Sequence, residues 1–340
     1  MKRLFLRAFL LSYLLTLSGC NNVSGKAKLT FGNYISNDPF EITYSQAIDK
    51  MEAKENMLLA SYYASIGACE CQTVFYQVLK EYIAETNYNV YLFNSKEIQG
   101  SKDSYNLRNI GYAAPILYII NKGKVTATLS YTQKANEKIF TNKDDLSKTI
   151  DKYFTKPSYY YVDDAYLDQN LSKKDKVGLC TIRNSCSDCK YLIPNFMIPY
   201  SNENELSSEI WVFDIDEYKD TDKYQDIKDK YQLSETSNPK FGYLEGVVPT
   251  TQYYEKGILK DANVYLNDKV TYDNATNTYK ITSTYYTSDR IQNLSYLDGE
   301  FVLLNKEIDK DELVSSYWLP YYASQIHNQI IKKFYDKYFL

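Results

Sequence analysis

The chain has 340 residues, of which 44% are hydrophobic and 24% are charged. This length predicts about two domains, and the composition is typical of globular proteins and excludes a wholly disordered chain. With 39 basic and 43 acidic side chains, the formal net charge is -4, whereas a general nucleic-acid binder normally carries a basic patch. The single histidine, His327, lies near the C-terminus, which disfavours a histidine-rich metal centre and a histidine-activated cysteine nucleophile.

The first twenty residues have the order of an export signal. Basic residues precede an apolar run from Phe9 to Leu17, which is too short to span a bilayer comfortably. The junction Leu-Ser-Gly-Cys at residues 17–20 resembles a bacterial lipoprotein lipobox, and this resemblance implies diacylation of Cys20 after removal of residues 1–19. Two acyl chains anchor a protein stably to a membrane. The alternative is an ordinary secretory signal that leaves Cys20 as a free thiol. Residues 20–29 are polar and predict a short tether.

The rest of the chain contains one order of elements twice. The first copy is predicted to be a domain over residues 30–156. Its predicted elements in chain order are a helix over 44–53, a strand over 57–63, the pair Cys69 and Cys71, a helix with an apolar stripe over 74–83, a strand over 89–93, a strand from Pro115 to a Lys-Gly turn at Gly123, a strand over 124–131 and a helix from Thr141. Thr141 and Asp144 have the spacing of a capping box.

The second copy is predicted to be a domain over residues 157–340. Its predicted elements are a helix over 164–172, a strand over 176–180, the pair Cys186 and Cys189, a strand over 210–215, a strand from Pro249 to a Lys-Gly turn at Gly257 and a strand over 258–266. The distance from proline to glycine is eight residues in both copies, from 115 to 123 and from 249 to 257. A closing helix is predicted from about Asp311, so that residues 267–308 are predicted to be an inserted hairpin and loop.

At these positions the second copy resembles the thioredoxin-like family. The resemblance depends on a strand that leads to Cys186-Ser187-Asp188-Cys189, on Pro194 five residues after the second cysteine, and on Val248-Pro249 before a hairpin. It implies an α/β fold with two tandem thioredoxin-like domains, each a central mixed sheet flanked by helices. It also implies a cis peptide bond at Pro249 beside the cysteine pair, and binding of an extended client segment by the backbone at Val248 and Pro249. Ala114 and Pro115 form the corresponding loop of the first domain.

Cys186 and Cys189 are the predicted catalytic residues. Disulfide exchange needs an accessible thiolate and a second sulfur that resolves the mixed disulfide. A cysteine at the start of a helix has a lowered pKa because of the free N–H groups and the helix dipole, so Cys186 is the predicted nucleophile and Cys189 the predicted resolver. The charge of Asp188 is expected to oppose the thiolate. Cys180 is predicted to be a small buried residue of the strand rather than a third redox thiol.

Two other uses of Cys186 and Cys189 are less favoured. A zinc site would need four ligands, and the chain offers few cysteines and one histidine. A purely structural disulfide between them would close a very small loop, which removes little entropy from the unfolded chain.

The cysteines of the first copy allow two alignments. If Cys71 corresponds to Cys189, then Ala68 stands in the place of Cys186 and the attacking sulfur is missing. If Cys69 corresponds to Cys186, the resolving sulfur is only two positions away, in a Cys-x-Cys pair that forms a strained disulfide. The first domain is therefore either a redox-silent module or a secondary redox site at Cys69 and Cys71.

The sequence predicts a thiol-disulfide oxidoreductase held by its lipid anchor at the extracytoplasmic face of the cell membrane. Its expected partners are exported proteins with cysteines or disulfides, and a membrane or extracytoplasmic redox protein that recharges it. No cofactor, metal or nucleic acid is expected. The alternative is a redox-silent accessory lipoprotein that binds a secreted peptide or a transport partner, since some thioredoxin-like accessory proteins of bacteriocin export are similar. Metal handling through the same thiols is a third possibility.

Overall fold

The computed structural model describes residues 25–98, 105, 107, 114–233, 248–265, 269–273, 275, 278–282, 305–309 and 319–340. The predicted export signal, the lipidation residue Cys20 and the first part of the predicted tether lie outside these residues. Within the described part of the chain, no helix is both long enough and apolar enough to cross a membrane.

The elements alternate between strands and helices along most of the chain. The strands are β1 (Ala27–Lys28), β2 (Phe31–Asn33), β3 (Phe40–Glu41), β4 (Met57–Tyr62), β5 (Val90–Asn94), β6 (Ile116–Asn121), β7 (Lys124–Ser130), β8 (Phe154–Thr155), β9 (Tyr159–Val162), β10 (Val177–Ile182), β11 (Ile210–Asp214), β12 (Thr250–Glu255), β13 (Ile258–Val264), β14 (Lys269–Asp273), β15 (Thr278–Thr282) and β16 (Asn305–Asp309). The helices are α1 (Tyr44–Glu52), α2 (Glu70–Thr86), α3 (Lys143–Ile150), α4 (Asp164–Asn170), α5 (Ser187–Leu192), α6 (Ile198–Glu203), α7 (Lys223–Lys230) and α8 (Leu319–Phe339).

The first unit is a five-stranded sheet in the order β3-β5-β4-β6-β7. β3, β5 and β4 are parallel, and β6 and β7 are antiparallel additions. Successive residues of β4 point to opposite faces: Leu58 packs in a core with α2 and α3, and Leu59 packs in a separate core with α1. Helices therefore cover both faces of this sheet.

The helices of the first unit begin where polar side chains can cap them. Thr43 and Gln46 form a reciprocal capping box at the start of α1. The capping box predicted at Thr141 is wrong by one residue, because Asn142 caps α3 by accepting the Asp145 N–H at 3.0 Å. The Thr141 hydroxyl instead donates to carbonyls of the preceding 3-10 turn.

The second unit is a six-stranded sheet in the order β13-β12-β10-β11-β9-β2. Its strands β9 to β13 repeat the order and directions of β3 to β7 in the first unit. Helices α4, α5 and α8 pack on it through Leu167, Leu192 and Phe334 in one buried cluster. The two predicted copies are thus two tandem α/β units with mixed sheets flanked by helices.

In the segment before the first unit, β2 belongs to the second sheet, and β1 forms a separate two-stranded sheet with β8. β1 pairs with β8 and β2 pairs with β9, both in parallel, and Tyr34 stacks between the rings of Tyr160 and Tyr166 at centroid distances of 4.6 and 4.5 Å. The predicted tether over 20–29 therefore ends before β1, and the predicted start of the first domain at residue 30 needs correction. Burial of Phe31 and hydrogen bonding along the open edge of β9 explain this placement.

The predicted insertion contains an antiparallel sheet in the order β14-β15-β16. The predicted hairpin corresponds to β14 and β15, and the third strand extends the sheet to Asp309, one residue beyond the predicted end. The predicted start of the closing helix at Asp311 lies outside the described residues.

Candidate active site

Cys186 lies where a buried strand gives way to a helix. All six residues of β10 are buried, and the strand lies between its parallel neighbour β11 and its antiparallel neighbour β12. Three residues separate the end of β10 from Cys186, which is the N-cap of α5. The helix continues through a π-helical turn, Ile193–Met197, that contains Pro194. A wider turn fits proline because this residue lacks the N–H that an α-helix requires.

Two carboxylates, one at the end of β11 and one just after it, hold the loop that precedes Cys186. The Asn184 side-chain amide donates to Asp214. Asp216 accepts both the Ser185 N–H at 2.8 Å and the Ser185 hydroxyl at 2.6 Å, and the hydroxyl bond is the largest cause that lowers the Asp216 pKa. Asp216 was not among the residues predicted from the sequence, although its place just after a predicted strand was a usable signal.

The Cys186 thiol is half-buried, and its pKa is lowered to about 6. The largest cause is a hydrogen bond from the Cys189 side chain to the Cys186 sulfur, and backbone N–H groups of Cys189 and Asp188 act in the same direction. Burial and the charge of Asp188 oppose this shift, the latter in the predicted direction, but they are outweighed. At neutral pH, Cys186 is therefore mainly a thiolate.

Cys189 lies one turn further along the helix, with only 1% of its surface exposed. Its pKa is raised well above the usual range, first because it donates a hydrogen bond to Cys186 and second because it is buried. Its Sγ accepts the Arg183 backbone N–H at 3.3 Å. The pair is thus divided into a partly exposed thiolate and a protected thiol.

Cys180 is fully buried in β10, which confirms the prediction of a small core residue at this position. Burial raises its pKa to about 12, against a smaller opposing effect of a hydrogen bond with Thr251. Cys180 therefore remains a thiol at neutral pH.

The Val248-Pro249 peptide bond is cis, as the family resemblance implies. The Cys186 Sγ lies 3.6 Å from the Val248 carbonyl oxygen. Pro249 leads into β12, and its carbonyl accepts the Tyr265 N–H at 2.9 Å. Val248 is 5% exposed. The structure therefore brings Cys186, Cys189, Val248 and Pro249 together, while the client-binding role of Val248 and Pro249 remains a prediction.

The first unit holds its own cysteine pair and proline at the corresponding place. Cys69 is the N-cap of α2, and Cys69 and Cys71 form a disulfide. Ala114-Pro115 is not among the cis peptide bonds of the described residues. No group of three or more histidine, cysteine or acidic side chains in the described ranges could hold a metal ion.

The repeated strand order, the cysteine pair at a helix start and the cis-proline beside it identify the architecture. The chain has a thioredoxin-like fold. No family model and no curated protein matches the sequence.

Several solved structures are similar. A thioredoxin from Halobacterium salinarum NRC-1 is 20% identical, with a TM-score of 0.23, over 33% of this chain and 80% of that one. Thioredoxin O2 from Arabidopsis thaliana is 21% identical, with a TM-score of 0.24, over 32% of this chain and 84% of that one. Human ERp44 is 10% identical, with a TM-score of 0.29, over 65% of this chain and 49% of that one.

The thiolate character of Cys186 predicts an unusual pH profile for alkylation. Because only the thiolate reacts, the rate at Cys186 with iodoacetamide should be half-maximal near pH 6 and level above about pH 7. In the urea-unfolded chain the rate at the same cysteine should instead be half-maximal near pH 8.5. Peptide-resolved mass spectrometry separates Cys186 from the other cysteines, and superimposable profiles for folded and unfolded chains would contradict the lowered pKa.

Proposed function

We propose that this protein is a membrane-anchored thiol-disulfide oxidoreductase that acts on cysteines of exported proteins through Cys186 and Cys189. The observation that carries this proposal is the division of the pair into a reachable thiolate and a buried thiol beside a cis-proline. Exchange requires this asymmetry, because one sulfur must attack the client and the other must wait for the mixed disulfide.

The chemistry starts from the dithiol form of the pair. The Cys186 thiolate attacks a client disulfide, a Cys186-client bond forms, and one client sulfur leaves as a thiolate. Cys189 then loses its proton and attacks the Cys186 sulfur, which forms the Cys186-Cys189 disulfide and releases the second client thiolate. The client gains the two electrons that the pair loses, and the same steps run in reverse when a client dithiol meets the oxidised pair.

The hydrogen bond between the two cysteines assists both steps. Before attack it stabilises the Cys186 thiolate. Once Cys186 is bound to the client it carries no negative charge, so the cause that raises the Cys189 pKa most is removed. Cys180, with a pKa of about 12, is too weak an acid to be ionised and accept this proton, so we assign the proton to the departing client thiolate or to solvent.

We assign the anchor to Cys20 and the location to the extracytoplasmic face of the cell membrane. The support is the order of residues 1–20 and the Leu-Ser-Gly-Cys junction. In that compartment client proteins carry disulfides, and a membrane or extracytoplasmic redox protein would recharge the pair.

Trapping of the mixed disulfide tests the proposal. In Cys189→Ala the resolving sulfur is absent, so a client disulfide should leave a covalent Cys186-client adduct that thiol reductants release. The adduct is measured by non-reducing electrophoresis and peptide mass spectrometry. The matched control is Cys186→Ser with Cys189→Ala, which should form no adduct at this site. A scaffold with idle cysteines would give no adduct in either variant, and that outcome would overturn the proposal.

A further inference from the structure

The disulfide of the first unit lies in the position that Cys186 and Cys189 occupy in the second. Cys69 is the N-cap of the 17-residue helix α2, as Cys186 is the N-cap of α5. The strands β4 and β10 that lead to these helices are equivalent central strands. Of the two alignments that the sequence allows, this placement favours the one that pairs Cys69 with Cys186.

The proline loop of the first unit is anchored like that of the second. The Pro115 carbonyl accepts the Tyr131 N–H at 3.2 Å, and the Pro249 carbonyl accepts the Tyr265 N–H at 2.9 Å. Both prolines come directly before the strand that pairs antiparallel with the central strand. Pro115 therefore lies at the same corner of its unit as the cis-proline of the second site.

A depression joins this proline to the first turns of α2. Its lining is mostly aromatic and apolar near the surface, with one amide, and includes Tyr62, Ile66, Gln72, Tyr76 and Pro115. Cys69 and Cys71 are partly exposed, and Gln72, the residue after Cys71, lines the depression. The depression has a volume of only about 10 Å³, so an extended client segment would lie across this surface rather than fill it.

A stabilising role does not account for this disulfide. A single residue separates Cys69 from Cys71, and closing so short a loop removes little entropy from the unfolded chain. The helix is already held by its apolar stripe, in which Phe75, Leu79 and Ile83 are each no more than 2% exposed. Stability alone therefore does not explain the Cys69-Cys71 bond, whereas a role in disulfide exchange would.

We propose that Cys69-Cys71 is a second disulfide-exchange site, whose substrate is a pair of thiols in an extended segment of a protein. One client thiolate attacks the Cys69 sulfur, the Cys69-Cys71 bond breaks, and its electron pair leaves on Cys71, which takes up a proton. The second client thiolate then attacks the client sulfur, forms the client disulfide and releases the Cys69 thiolate, which also takes up a proton. The client loses two electrons and the site gains them. Cys71 is the better leaving group because it lies in the first turn of a long helix, where the dipole favours a thiolate.

A single-turnover experiment tests this site alone. The full chain carrying Cys186→Ser and Cys189→Ser is mixed with a reduced two-cysteine peptide under nitrogen, quenched in acid and alkylated. We expect about one peptide disulfide per chain and a matching gain of alkylated Cys69 and Cys71 by peptide mass spectrometry. The matched control adds Cys69→Ser and should oxidise no peptide. Because Cys186 and Cys189 are replaced in both proteins, failure here leaves the proposal for that pair untouched.

Two results would overturn the inference. One is a peptide that stays reduced while Cys69-Cys71 stays intact, and the other is equal peptide oxidation by the Cys69→Ser control. As a second measurement, the wild-type chain is equilibrated in glutathione buffers of varied ratio, where the bond should open and close reversibly. A bond that resists every ratio, in a chain whose thermal midpoint drops when Cys69 and Cys71 become serine, would assign it to stability.

Discussion

Cys186→Ser should reduce the rate of insulin disulfide reduction by about a hundredfold or more, to that of the uncatalysed reaction. The serine hydroxyl remains protonated near neutral pH and does not displace a sulfur from a disulfide. Cys189 cannot take over, because it is 1% exposed and its pKa is raised by its bond to Cys186 and by burial. Turbidity of the released insulin chain measures the reaction, with a thiol as the final reductant.

The matched control for this loss is Cys180→Ala. Cys180 is fully buried and stays a thiol, so its removal should leave activity within about threefold of wild type. Circular dichroism verifies that both variants are folded. If Cys186→Ser retained wild-type activity, or if both variants lost it alike, the assignment of the nucleophile to Cys186 would fail. The comparison is made in a Cys69→Ser background, so that the Cys69-Cys71 site adds no residual rate.

Gly123→Ala should destabilise the first unit by about 3 kcal/mol or more. Gly123 has φ +72°, a conformation that side chains disfavour, in the turn between β6 and β7. A Cβ added there would lie 1.9 Å from the Met51 carbonyl oxygen and 3.2 Å from the Lys54 Cα. These are backbone atoms at the end of α1, so neither can rotate away. The turn would have to leave α1 and lose the bond from the Gly123 N–H to the Glu55 carbonyl.

Gly67→Ala is the matched control for this change. Gly67 lies in the same unit, and among the described residues no atom lies within 4 Å of a Cβ built there, so the alanine should change stability by no more than about 0.5 kcal/mol. Urea unfolding followed by circular dichroism gives both values. Equal transition midpoints for the two variants would contradict the close packing of the turn against α1.

The elements that sequence reasoning placed well carry their own local signals. The apolar stripe predicted over 74–83 has helical spacing. Val74 is exposed, and the other apolar residues of the stripe are buried, namely Phe75, Val78, Leu79, Tyr82 and Ile83. Each of β6 and β12 is preceded by a proline and followed by a Lys-Gly turn. The residues of both turns, Lys122-Gly123 and Lys256-Gly257, have positive φ. The N-cap of α3 is Asn142, one residue after the predicted Thr141. The two residues are adjacent and polar, and either side chain can cap a helix.

The boundary error at residue 30 has a different origin. β2 has only three residues, too few for alternation to be visible. Its partner β9 begins at Tyr159, more than a hundred residues later. Pairing over such a separation depends on the whole first unit bringing its two ends together, and no local pattern reports it.

The candidate site likewise has some features that the sequence predicted and others that only the folded structure determined. From the sequence alone, the cysteine spacing and the prolines predicted which residues meet at the helix start, because those signals lie within a few neighbours of each cysteine. Only the tertiary structure decided that Asp216 accepts hydrogen bonds from the loop before Cys186, and that Cys69 rather than Ala68 is the N-cap of α2. Each of these depends on which distant strands are adjacent and on what water can reach, and both are properties of the folded chain.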